Sequence, residues 1–286
     1  MGPRTLVRDG LRRVAGRIGV SDPPPPPPKA KKKPSWVVPS TSTPGSRVVT
    51  SGFFEQYSRF YETSETFAYP SRLNLRHEAI FGENKDIFEG ARVLDIASHD
   101  GRWSFAALEA GAASVVGIEG RPELVDAANE TFAHYDVSPD RFRFIADDIY
   151  HALAQETWEF DVVMCLGFLY HTLRYNELMA RIRQCNPKFL LIDTEIAGDE
   201  RPVIHIRVEK VTPQRNAVAD DFSHGSGVLS GKPSLKGLQT MVGAYGFQLE
   251  RLSDWAGLTR DNPDHADEYK NYVRGLRVTA RCKATS

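Results

Sequence analysis

Residues 92–119 constrain this chain more than any other stretch. Val93, Leu94 and Ile96 form an apolar run of strand length, and Ala97–Gly101 read as a tight loop. Arg102–Ala110 then carry Trp103, Ala106, Ala107 and Ala110 at helical spacing. Gly111 stands where a glycine commonly ends a helix. A second apolar run, Ser114–Ile118, follows and stops on Glu119. The stretch is therefore a strand–loop–helix–strand unit with an acid closing its second strand. That arrangement suits a nucleoside ligand, because the loop and the helix N-terminus offer backbone N–H groups and the acid accepts from ribose hydroxyls.

The same alternation continues. Arg121–Glu123 open a helix to about Tyr135, with Pro122 in its first turn, and Arg141–Ala146 make a third strand ending in Asp147-Asp148-Ile149. Phe160–Cys165 are a fourth strand, leading into the loop Leu166–His171, and Tyr175–Cys185 a helix. Phe189–Asp193 are a fifth strand running into Thr194-Glu195. An insertion, residues 197–232, precedes a helix from Pro233-Ser234 to Tyr245; it holds a strand at Val203–Val208 and a polar run through His224. Phe247–Leu252 and Asn271–Cys282 supply the last two strands. Repeated βα units predict an α/β chain, a doubly wound Rossmann-like sandwich. The sheet would be mostly parallel and seven-stranded, with an antiparallel last strand.

In such sheets ligands bind beyond the carboxyl ends of the strands. His171 falls there, and an imidazole can take a proton from an alcohol near neutral pH. The bland alternative is a helix-capping histidine. Asp193 and Glu195 reach the same edge. They could orient His171, bind a substrate hydroxyl, or hold a divalent cation with one more carboxylate. Loops on a rigid scaffold carry specificity, so the polar insertion, His224 included, suits the hydroxyls of a sugar-like acceptor. It equally suits an ordinary flexible loop.

Asp95-x-Ala-Ser-His-Asp-Gly101 followed by Gly-Ile-Glu119 resembles motifs I and II of the class I S-adenosylmethionine-dependent methyltransferases. The usual form is Asp-x-Gly-x-Gly-x-Gly; this chain keeps Gly101 and places Ala97 and His99 at the other two glycine positions. Asp147-Asp148-Ile149 resembles motif III, and Leu169-Tyr170-His171 is similar to sugar and natural-product O-methyltransferases and to the tRNA wobble-uridine carboxymethyltransferase branch. The resemblance spans roughly Ala91–Arg281. It implies S-adenosylmethionine held by Asp95, Ala97, Ser98, His99, Gly101, Glu119, Gly120, Asp148, Ile149, Leu166 and Tyr170, with His171 as general base. It also implies that residues 52–90, with aromatics at Phe53, Phe54, Tyr57, Phe60 and Tyr61, form a helical lid before the domain at 91–286. Tyr57 would reach the cofactor, and Arg72, Tyr170 and His224 the substrate. Plain core packing of those aromatics is the alternative.

The implied activity is O-methylation of a polar small molecule or glycan. A tRNA-modifying transferase and a non-catalytic methyltransferase-like module remain alternatives. An NAD-type site is disfavoured, because no Gly-x-Gly-x-x-Gly follows the first strand. Charge bears on the choice. Residues 1–33 hold nine Lys and Arg against two Asp, while the remaining 27 basic and 35 acidic residues leave the body acidic. An acidic body argues against general nucleic-acid affinity. Residues 1–51, with six consecutive prolines at Pro23–Pro28, read as a basic, disordered arm able to touch an anionic membrane. The three cysteines have no paired spacing, which fits reduced thiols in the cytoplasm.

Overall fold

The computed structural model describes residues 52–63, 69–211, 219, 222–264 and 266–285. The basic arm, Phe67 and the stretch around Asp220-Asp221 lie outside these. Two short helices, α1 (Phe53–Gln56) and α2 (Arg59–Thr63), lead to α3 (Pro70–Ile80). The repeating unit follows: β1 (Arg92–Ile96), α4 (Arg102–Glu109), β2 (Ser114–Glu119), α5 (Pro122–His134), β3 (Phe142–Ala146), α6 (Ile149–Gln155), β4 (Val162–Leu166), α7 (Tyr175–Gln184) and β5 (Phe189–Glu195). Then come β6 (Ile204–Lys210), β7 (Gly227–Pro233), α8 (Leu235–Ala244), β8 (Phe247–Leu252), α9 (Trp255–Asp261), α10 (Lys270–Val273) and β9 (Arg277–Ala284).

Seven strands form one sheet in the order β3-β2-β1-β4-β5-β9-β8. Strands β1 to β5 pair in parallel, and β9 runs antiparallel to both its neighbours. The sequence direction of strand order reverses between β1 and β4, which opens a crevice at their carboxyl ends. The central strands are buried on both faces, as parallel strands covered by helices must be. Val93, Val162 and Met164 pack to one side; Leu94, Ile96, Val163 and Cys165 pack to the other.

Three expectations need correction. The aromatics of residues 53–61 are core, not lid. Phe54 and Phe60 are fully buried, and Tyr57 meets Phe105 edge-on at 4.6 Å between ring centres. Of the insertion, the described part is a β-ribbon and not one strand with a polar loop: β6 and β7 pair antiparallel along their whole length. Its alternation gives it two faces. Ile204, Ile206 and Val208 are exposed, while Arg207 and Glu209 are half-buried on the inner side. Finally, Asn271 and Tyr272 belong to the helical turn of α10, and the last strand begins only at Arg277, after the left-handed Gly275.

All three cysteines are free and buried. No helix among the described residues is long and apolar enough to cross a membrane.

Candidate active site

The loop after β1 solves a backbone problem without the usual glycines. Ala97, His99 and Gly101 all have left-handed φ, at 56°, 54° and 77°. A side chain at such a φ costs about 1–2 kcal/mol, which Ala97 and His99 bear. Gly101 has a second reason to be glycine. An added Cβ would lie 2.8 Å from Phe144 and 3.0 Å from Phe132. The loop is tied by Ser98 N–H to the Ile118 carbonyl at 3.0 Å, and Gly101 N–H to the Ser98 carbonyl at 3.0 Å. Gly101 then caps α4, whose first turn holds Arg102 and Trp103.

Glu119 ends β2 and accepts from the His99 N–H (3.0 Å) and the Arg121 Nε (2.8 Å). The Asp100 carboxyl beneath the loop is fully buried. Burial alone would raise its pKa, but Arg102 at 2.6 Å, His99 and the Thr63 hydroxyl at 2.7 Å outweigh that and hold it well below the usual range. Asp95 behaves oppositely. Burial pushes its carboxyl up to about 7, and the Ser104 hydroxyl at 2.8 Å and the charge of Arg102 offset this only in part.

A sign follows for stability. An acid that binds its proton more tightly when folded costs stability as pH rises from its ordinary 3.8 through about 7. Asp95→Asn retains an oxygen for Ser104 and has no charge to bury. It is expected to be more stable than wild type by up to about 4 kcal/mol at pH 8, with the gain shrinking towards pH 4. Urea midpoints at pH 5 and 8 check this; a gap that does not widen with pH refutes it.

The crevice is a cleft of about 510 Å³, within the size range of small-molecule sites. Of the anticipated cofactor residues, Ala97, His99, Glu119, Gly120, Asp148, Ile149, Leu166 and Tyr170 line it; so do Arg72, His171 and Glu195. Five others do not have the placement expected. Tyr57 points its hydroxyl at Glu109, 2.6 Å away at the far end of α4, and burial, with that contact second, raises its pKa to about 12. Asp95 lies on β1 before the loop, and Ser98 and Gly101 shape the loop from within; none of the three lines the cleft. His224 is exposed at the turn of the ribbon and does not line the cleft. Asp193 is the sixth departure. It is fully buried and accepts from Arg76 (3.1 Å), Arg277 Nε (2.8 Å), Tyr272 (2.9 Å) and Thr279 (2.7 Å). Burial would raise its pKa, yet Arg277 and Arg76 hold it well below the carboxylate range. It is a structural anion.

Asp148 also caps α6, where its Oδ1 accepts from the Tyr150 and His151 N–H groups. Glu195 pairs with Lys232 of the ribbon. Among the described residues no group of three or more His, Cys, Asp or Glu side chains could hold a metal ion.

The residue that sequence reasoning missed is Glu209. The inner face of β6 brings its Oε2 to 2.7 Å from His171 Nδ1. Burial opposes its charge, but His171, Arg207 and the Ser230 hydroxyl lower its pKa to about 2. An ionised carboxylate on Nδ1 fixes the imidazole tautomer and leaves Nε2 as the proton acceptor. Alternation along β6 places Glu209 on the same face as Arg207, but local sequence does not tie that face to His171. The arginines of the cleft, Arg76, Arg102, Arg121 and Arg277, with Trp103, Thr172 and Asn271, were likewise missed.

The architecture is the class I, Rossmann-like fold of S-adenosylmethionine-dependent methyltransferases, and residues 93–186 match the family model described as "Methyltransferase domain". Similar solved structures include the DhpI complex with S-adenosylhomocysteine (TM-score 0.52, 13% identity, 80% of this chain and 94% of that chain). PH0226 from Pyrococcus horikoshii OT3 is similar at TM-score 0.51 and 17% identity, over 82% of this chain and 100% of that one. The 1,6-didemethyltoxoflavin-N1-methyltransferase of Burkholderia thailandensis gives 0.50 and 16%, over 81% and 86%. A curated relative, probable protein arginine N-methyltransferase 3 of Oryza sativa subsp. japonica, is 31% identical over 91 residues. The match covers 32% of this chain but only 14% of the rice protein's length.

Proposed function

We propose that this chain transfers a methyl group from S-adenosylmethionine to a hydroxyl of a polar small molecule, a sugar-like acceptor being favoured. The observation that carries this reading is the His171–Glu209 pair on the cleft that Ala97, His99 and Glu119 also line. The cleft fits the donor by chemistry. Glu119 closes β2 with a buried carboxylate suited to ribose hydroxyls, Asp148 and Ile149 offer a polar and an apolar contact for adenine, and Ala97 and His99 of the loop border the same space. When bound, S-adenosylmethionine supplies a methyl group already activated by its sulphonium.

The protein's own task is then alignment and proton removal. His171 Nε2 takes the proton of the acceptor hydroxyl. Glu209 holds Nδ1–H and stabilises the imidazolium that forms. Tyr170, whose hydroxyl accepts from Arg277 Nη1 at 3.1 Å, packs its ring 4.2 Å from the His171 ring and restrains it.

The name of the rice relative suggests a guanidinium acceptor, and the DhpI and toxoflavin names suggest natural-product chemistry. The first fits poorly here, because a wall carrying Arg72, Arg76 and Arg277 repels a cation. Calorimetry with S-adenosylhomocysteine tests the donor half of the proposal. Saturable binding is expected; no heat at millimolar ligand would remove the reading. Transfer of labelled methyl to a panel of polyhydroxylated acceptors, followed by alkali treatment to separate ethers from esters, tests the acceptor half.

A further inference from the structure

Three guanidinium groups, those of Arg72 and Arg76 on α3 and Arg277 on β9, stand on one wall of the cleft. One carboxylate answers them. Asp193 accepts from Arg76, twice from Arg277, and from the hydroxyls of Tyr272 and Thr279, so its lone pairs are spent. Arg72 has no hydrogen bond or ion pair with any described residue. Its Nε is buried without a partner, as is that of Arg76. The other acids that line the cleft are engaged elsewhere: Glu195 with Lys232 and Asn271, Glu119 with Arg121 and the His99 N–H, Asp147 with His151, and Asp148 with the first N–H groups of α6. Among the described residues this wall therefore carries an excess of two positive charges in a half-enclosed space. An unpaired charge out of water is costly, and side chains so placed normally meet a counter-charge. The neighbours account for part of this cost in Arg72 itself: burial, then Arg277 and Arg76, lower its pKa against the opposing pull of Tyr272 and Asp193.

The donor proposed above does not supply that counter-charge. Its amino-acid end carries one carboxylate and one ammonium, and its sulphonium adds a further positive charge, so a bound donor leaves the cleft more positive. No acid among the described residues supplies it either, which leaves the acceptor as its source. Resting on the methyltransferase reading, we propose that the acceptor is itself an anion, a hydroxyl compound bearing a carboxylate or phosphate group that Arg72 binds. A guanidinium offers two parallel N–H donors to either oxyanion. Tyr170 and Asn271, on the same wall, supply neutral polar contacts to the same molecule.

The test uses the full chain saturated with S-adenosylhomocysteine. Malonate and inorganic phosphate are titrated in separate arms at constant ionic strength, and the thermal midpoint and tryptophan emission are followed. Trp103 lines the cleft 4.9 Å from the Arg76 guanidinium and reports on it. A saturable response to one of the two anions is expected, and the arm that responds says whether the group is carboxylate or phosphate. Arg72→Gln is expected to weaken that anion at least tenfold with S-adenosylhomocysteine affinity unchanged. Arg72→Lys, which keeps the charge and loses the fork, should fall between and covers the case in which the glutamine variant does not fold. A wild type that binds S-adenosylhomocysteine but neither anion overturns this inference alone. An equal anion response in the variants also overturns it, as does a tenfold loss of S-adenosylhomocysteine affinity with the anion response unmoved, since Arg72 would then hold the donor's carboxylate. Absence of S-adenosylhomocysteine binding to the wild type overturns the methyltransferase reading first, and the acceptor assignment with it.

Discussion

Asp193→Ala is expected to lose about 3–5 kcal/mol of folding stability, the cost of leaving buried charges without their partner. Arg76 and Arg277 would remain with no carboxylate between them, and the Tyr272 and Thr279 hydroxyls would lose their acceptor. The pH dependence has a definite sign. A carboxyl whose folded pKa lies below its ordinary 3.8 contributes stability above that value and loses it as pH falls towards the folded pKa. The difference between wild type and variant should therefore be complete at pH 6 and narrow below pH 4. Urea unfolding at both values checks it. A variant as stable as wild type at pH 6 would show that the two arginines do not depend on Asp193, and would return that residue to the list of groups free to act on substrate.

His171→Ala is the second large effect. Loss of a positioned general base lowers turnover by about 10²–10⁴-fold. The affinity for S-adenosylhomocysteine should not move, because the loop and the strand-end acids do not depend on His171. Glu209→Gln should produce a smaller loss in kcat with little change in KM. An amide in place of the carboxylate can still sit against Nδ1, but it cannot neutralise an imidazolium. Single-turnover rates with the acceptor found in the label-transfer panel measure both. A His171→Ala enzyme with wild-type turnover would leave methyl transfer standing and remove the assigned base.

The core of the fold was legible for a physical reason. Central parallel strands are buried on both faces, so 93–96, 162–166 and 189–192 read as apolar runs broken only by Asp95, and the first two lead on to helices with clear starts. The ligand edge came with it, since the crevice lies at the carboxyl ends whatever the loops contain. Strand β7 was not legible. Gly-Val-Leu-Ser-Gly-Lys-Pro has weak strand character, and its partner β6 sets its conformation. The reading of Asn271–Cys282 as one strand failed because alternation in Asn-Tyr-Val-Arg resembles a strand while Gly275 turns the chain out of a helical turn. The roles of the site acids depended on distant partners. Asp193 looked catalytic at a strand end, and only Arg76, 117 residues earlier, and Arg277, 84 later, make it structural. Glu209 lies 38 residues from His171 with no local signal joining them.

The left-handed residues of the first loop bear on how such chains are recognised. The fold demands a sign of φ at positions 97 and 99, and glycine is the cheapest way to meet it; this chain meets it with alanine and histidine. A fingerprint written as letters counts both as mismatches, while a fingerprint written as dihedral signs counts both as matches. Members of this architecture that bear the conformational cost in place of the glycine are therefore the ones that searches on residue identity rank low. They also carry side chains where a glycine-rich loop has none. In this chain that places an imidazole, His99, on the cleft wall, a group with which such a loop can diversify its chemistry without altering its path.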